Sequence, residues 1–180
     1  MALAYQEYYT HKDYQQWEGA WELIEGMPYA MAPSPSVTHQ TVGLNIATAI
    51  KEQLNRMRGN CDKCCVLMET DWLVSNDTVV RPDVMVICQP IGEKVMLTPE
   101  LIIEVVSSSS TKRDEMMKFA LYQKEGVLYY ILVYPDKQLA KVYFNRMAEF
   151  NKIGSYTSDS AELVMGQCKI MIDFSLVWRK

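Results

Sequence analysis

No stretch of this chain is long enough to cross a bilayer as a helix. Apolar runs such as VLYYILVY stop far short of the roughly 20 residues a span requires. The first thirty residues carry Glu7, His11, Lys12, Asp13, Glu18 and Glu22, so they lack the basic start and apolar centre of a secretory signal. A cytoplasmic protein with no membrane association is therefore expected. There is no internal repeat, no long linker and no excess of basic charge. The net charge of −4 leaves no overall electrostatic footprint for nucleic acid, although Lys112, Arg113, Lys118 and Lys124 fall in one short segment. Histidine is scarce, with only His11 and His39. That scarcity bears on the five cysteines, Cys61, Cys64, Cys65, Cys88 and Cys168. Cys61-Asp62-Lys63-Cys64 has the spacing of half a zinc site, but a structural site draws four ligands and no second cluster is visible. An odd number of cysteines without a secretion signal reads as reduced thiols.

What the chain does have is apolar mass: 49% of its 180 residues are hydrophobic, enough for one substantial core, so a single domain over residues 1–180 is expected. The aromatic N-terminus, with Leu3, Tyr5, Tyr8, Tyr9, Tyr14 and Trp17, reads as a short helix or packing arm. WELIEGMPYAMAP reads as a hairpin turning at Glu25-Gly26. Ser34-Pro35-Ser36 starts a helix, and Val42, Ile46, Ile50, Leu54 and Met57 give it one apolar face ending near Gly59. Three strands are expected next, in CVLMETDWLV, DVMVIC and ELIIEVV. Hydroxyls from Ser107 to Thr111 then cap a helix that Gly126 closes. VLYYILVY, a turn at Pro135-Asp136, and LAKVYF add strands, and weaker strands fill the last 35 residues. This order predicts an α/β or α+β domain, a mixed sheet flanked by helices.

One residue conflicts with its surroundings. Glu104 lies inside the apolar strand LIIEVV, where an acid is costly to bury without a partner or a cation. Pro82-Asp83 opens the preceding strand, and strands about 4.8 Å apart can bring both carboxylates to one ion. Such hard oxygen ligands suit Mg2+ or Mn2+. Asp114, Lys118 and Tyr122, four residues apart, share a face of the following helix, from which Lys118 can reach the acids.

This arrangement resembles the PD-(D/E)xK nuclease superfamily, with valine at 106 where the usual lysine stands and Lys118 as the displaced lysine. More specifically, WELIEG, MAPSPSVTHQ, TVVRPDVMVI, ELIIEVVSSSSTKRDEMMKFALYQKEGV and YYILVYP resemble the Uma-type "putative restriction endonuclease" family, small proteins abundant in cyanobacteria. The resemblance spans about residues 3–150. It implies a restriction-endonuclease-like fold and Mg2+-dependent hydrolysis of DNA phosphodiester bonds, with Asp83, Glu104, Glu22, Lys118, His39 and Gln40 as site residues. It also implies metal ligation by Asp83, Glu104 and the backbone carbonyl near Val105, and a homodimer. Departures from the family pattern are Ser107-Ser108-Ser109, Tyr129 and Tyr134. With the acidic net charge, the two tyrosines motivate an alternative: a DNA- or protein-binding module that keeps the fold without turnover. Sugar hydrolysis by paired carboxylates finds no aromatic-lined cleft to support it.

Overall fold

The computed structural model describes residues 7–31, 34–57, 59, 61–107 and 112–179. A helical turn, α1 (His11–Tyr14), precedes the hairpin of β1 (Trp21–Ile24) and β2 (Met27–Ala30). Glu25 and Gly26 both adopt positive φ, 50° and 78°, as a two-residue turn between twisted strands demands. The long helix α2 (Val37–Arg56) follows, its first turn capped by Ser36 Oγ, which accepts from the His39 N–H at 3.2 Å. Next come β3 (Cys65–Met68), β4 (Trp72–Ser75), β5 (Thr78–Val80), β6 (Val84–Ile87) and β7 (Leu101–Val105). A π-helical segment, Arg113–Lys118, runs into α3 (Phe119–Lys124), and Gly126, at φ 80°, ends it. The chain continues through β8 (Tyr129–Tyr134), β9 (Leu139–Arg146), β10 (Glu149–Tyr156), β11 (Ser160–Met165), β12 (Cys168–Asp173) and α4 (Phe174–Val177).

Six strands form a mixed central sheet in the order β10-β9-β8-β7-β6-β3. Its parallel pair, β7 and β8, is joined by the crossover through the π-helical segment and α3. Both strands are buried along their whole length, which is why they read as apolar runs, interrupted by Glu104 in β7. Alternation of side chains then divides the core in two. On one face Val84, Val86, Leu101 and Ile103 meet Val42, Ile46, Ile50 and Leu54 of α2, with the β11–β12 hairpin alongside. On the other, Met85, Ile102, Tyr130 and Leu132 meet Leu121 and Tyr122, together with Ile24, Trp72 and Val80. The last three belong to a smaller antiparallel sheet ordered β2-β1-β5-β4. The mixed sheet flanked by helices is the architecture expected from the chain.

Several local expectations are corrected. CVLMETDWLV is two strands in different sheets, β3 and β4, because Glu69 takes φ 45° and the chain turns there from one sheet to the other. Between the turn at Asn76-Asp77 and DVMVIC lies a further short strand, β5, which pairs with β1. The basic cluster is divided by burial: Lys118 is sealed in the interior, whereas Lys112 and Lys124 are exposed. The reading of five reduced thiols also changes, since Cys61 pairs with Cys168 and Cys64 with Cys88 as disulfides, leaving Cys65 as the free thiol. The proposed caps at Ser108 to Thr111, and the packing of Leu3 and Tyr5, lie outside the described residues.

Candidate active site

The register of β6 against β7 sets the acids in place. Val84 lies opposite Ile103 and Met85 opposite Ile102, so one further step puts Asp83 opposite Glu104. Side chains directly opposed across antiparallel strands leave the same face. That face looks toward the π-helical segment, α3 and the smaller sheet. Asp83 Oδ2 accepts the Val105 N–H at 2.7 Å and stands 3.3 Å from His39 Nε2. The acid at the strand mouth is thereby tied both to the neighbouring strand and to α2.

Glu104 is buried, and its Oε1 accepts from Lys118 Nζ and Tyr122 Oη, each at 2.9 Å. Lys118 Nζ also lies 2.7 Å from Glu22 Oε1 and 3.9 Å from Asp114 Oδ1. Glu22, fully buried on β1, accepts the Arg81 N–H at 2.8 Å, and its Oε2 pairs with Arg113 Nε at 3.2 Å. Five of the six residues expected at the site, Glu22, His39, Asp83, Glu104 and Lys118, therefore converge. Gln40 does so at one remove: its amide donates to Glu69, which lines the same cavity. Val105, expected to offer its carbonyl, joins the site by both backbone groups, its N–H on Asp83 and its carbonyl on His39.

Burial pushes the Glu104 carboxyl well above its usual range; Lys118 opposes that shift, while Asp83, Asp114 and Glu22 reinforce it. Burial alone would lower the Lys118 pKa, but Glu104, Glu22 and Asp114 together outweigh it and hold the ammonium charged. Burial, and then the charge of Glu104, keep Tyr122 a neutral phenol that can donate. For His39 burial works against the charged form, yet the hydrogen bond and charge of Asp83, with smaller help from Glu69 and the Val105 carbonyl, raise its pKa.

The acids border a cavity of about 400 Å3, lined among others by Ser36, His39, Glu69, Asp83, Glu104 and Lys118. Among the described residues, Glu22, Glu104 and Asp114 share the cations Lys118 and Arg113, and Asp83 pairs with His39. Among the described residues Glu22 Oε2 makes no hydrogen bond. Clustered carboxylates, one of them with a buried oxygen that takes an ion pair but no hydrogen bond, are the donor chemistry a hard divalent cation takes. The site also contains residues that sequence reasoning missed or undervalued. Arg113 was one of four clustered basic residues until its contact with Glu22 singled it out. Arg81 carried no signal beyond preceding Pro82. Glu69 carried little signal either, since it is exposed and opens the polar break Glu69-Thr70-Asp71 between two strands.

A family model described as "Uma2: Putative restriction endonuclease" matches residues 7–164. The chain belongs to this family. Its matched region contains every element that shapes the cavity, from β1 to α3. The Uma2 fold is seen also in a solved structure titled as a putative nuclease belonging to DUF820 from Anabaena variabilis, similar with a TM-score of 0.74 at 17% identity. That likeness covers 94% of this chain and 97% of the other. No curated protein matches this Uma2 chain in sequence.

Proposed function

We propose that this chain is a divalent-metal-dependent endonuclease that hydrolyses DNA phosphodiester bonds. The observation that carries the reading is Glu104: an acid inside a buried strand, opposite Asp83, hydrogen-bonded to a buried lysine at the edge of a cavity that Asp83, Asp114 and His39 also line. Family membership supports it. Asp83, Glu104 and the Val105 carbonyl would hold Mg2+ or Mn2+, whose bound form supplies a Lewis acid and a water of lowered pKa.

The chain's own residues prepare that chemistry. The Val105 N–H and His39 fix the Asp83 carboxylate, and Tyr122 and Lys118 both hold Glu104 Oε1, which locks its rotamer. The Lys118 ammonium places a permanent positive charge where negative charge grows on the phosphate. Because it is held charged, its role is electrostatic rather than that of a general base. Arg113, at the cavity wall, suits the scissile strand's phosphates.

The test is incubation of purified protein with supercoiled plasmid and Mg2+ or Mn2+. Nicking that disappears in EDTA and in Glu104→Ala is expected. Nicking of equal rate in Glu104→Ala would defeat the assignment. DNA binding without nicking at high protein concentration would favour the module without turnover.

A further inference from the structure

Four cysteines scattered through the chain converge at one point, at the far end of the central sheet from the acids. Cys61 and Cys64 come from the turn between α2 and β3, Cys88 directly follows β6, and Cys168 opens β12. Cys65 lies opposite Ile87, so one step back places Cys64 opposite Cys88 across the two strands. The Cys64 N–H donates to the Cys61 carbonyl at 2.9 Å, closing the Cys-Asp-Lys-Cys run into a tight turn. The two disulfides abut. The sulfurs of Cys64, Cys88 and Cys168 all lie within 4.8 Å of one another, and Cys64 Sγ is 3.5 Å from Cys168 Sγ.

Three of the sulfurs are mutually close enough for a thiolate site, and Cys61, bonded to Cys168, is the fourth beside them. With Zn–S bonds of about 2.3 Å, neighbouring sulfurs of a four-thiolate site stand about 3.8 Å apart. We propose that in the reduced chain Cys61, Cys64, Cys88 and Cys168 together bind one Zn2+ in a closed structural site. Four thiolates select a soft, tetrahedral ion over the hard cations that carboxylates take. A cavity of about 350 Å3, lined by Leu54, Asn55, Cys61, Asp62 and Cys64, gives the ion its path in.

The chemistry balances through a dithiol reductant. Opening both disulfides takes four electrons and four protons from two dithiol molecules, each leaving as a cyclic disulfide, and zinc binding then releases the four thiol protons to solvent. The ion would fasten the β11–β12 hairpin to the sheet. Asp83 and Cys88 flank β6 at opposite ends, roughly 16 Å apart at about 3.3 Å per residue, so this site is distinct from the acidic cavity.

The test uses the full chain purified with a dithiol reductant from zinc-supplemented cells. Elemental analysis should find one zinc per chain, and zinc-edge X-ray absorption should show four sulfurs at about 2.3 Å. Zinc should be lost in Cys88→Ser and Cys168→Ser and kept in Cys65→Ser. Zinc-free protein, whether its cysteines are alkylatable or remain in disulfides, would overturn the proposal. A nitrogen or oxygen shell around the zinc, or full zinc content in Cys88→Ser, would do so too. The wild-type absorption measurement stands even if a serine variant fails to fold.

Discussion

Lys118 donates to Glu104 Oε1 at 2.9 Å with both groups sealed from bulk water, so each is the other's compensation for burial. Removing one partner strands the other. Lys118→Met should cost about 3–5 kcal/mol in urea denaturation. Adding Glu104→Gln should recover part of that loss, since the unpaired carboxylate is then gone. Equal stability of wild type and Lys118→Met would show that the pair is not what holds these groups in the interior.

The His39 and Asp83 pair predicts a titration. The chain has two histidines, so their proton resonances can be assigned in metal-free protein by the loss of one in His39→Ala. His39 should titrate above the ordinary 6.5 of the free side chain. In Asp83→Asn its pKa should fall, because burial then acts with less opposition. Protonated His39 favours the folded state, so its contribution is complete below about pH 6.5 and fades as pH rises through the folded-state pKa. An unchanged His39 titration in Asp83→Asn would refute the pairing.

Asp71 braces the cavity wall from behind. It accepts from Arg81 Nε at 2.6 Å and from Tyr14 Oη at 2.9 Å, and the Arg81 backbone holds Glu22. Burial first, then the Asp71 charge, push the Tyr14 phenol up to about 12. A phenol protonated more tightly in the folded state stabilises fully below about pH 10, and this is lost as pH climbs toward about 12. The ultraviolet difference titration between wild type and Tyr14→Phe isolates this group among the 11 tyrosines. In the Asp71→Asn background the same difference curve should move to lower pH.

Gly26 tests the hairpin that carries Glu22. Its φ of 78° favours glycine, and a Cβ there would come within 2.2 Å of the Tyr8 ring. Tyr8 is exposed and can swing aside, so the backbone sets most of the cost. Gly26→Ala should lower stability by about 1 kcal/mol, with Gly26→Asn milder and Gly26→Val worse. Equal denaturation midpoints for the asparagine and valine variants would contradict this account.

Much of the fold was legible because it rests on local patterns. The four-residue steps of α2, the Glu25-Gly26 turn and the largely apolar runs of β7 and β8 each announce themselves within a few residues. The break in CVLMETDWLV was not legible: both halves are strand-like, and only the left-handed backbone at Glu69 sends them to separate sheets. At the candidate site Glu104 was visible by its misfit, an acid in an apolar run, whereas Asp83 and Glu22 gained their weight from the family pattern. Arg113 and Arg81 were not: the Arg113 guanidinium is singled out only by its pairing with buried Glu22, and Arg81 reaches that carboxylate through its backbone N–H, which no side-chain pattern signals.

The sequence by itself determined that Glu104 would be buried and in need of a partner, because strand periodicity and apolar neighbours are properties of a short stretch. It also named Lys118, on the next element, as the candidate cation in place of the valine at 106; the tertiary structure decided that Glu22, Tyr122 and Arg113 join the pair, because β1 and the π-helical turn pack against the same face. The cysteines make the same distinction. A lone Cys-Asp-Lys-Cys run says little, but the pairing of β3 with β6 and the packing of β12 beside α2 bring Cys64, Cys88 and Cys168 within 4.8 Å of one another, with Cys61 bonded to Cys168. Contacts between residues far apart in the chain depend on strand register and layer packing, and no local pattern encodes them.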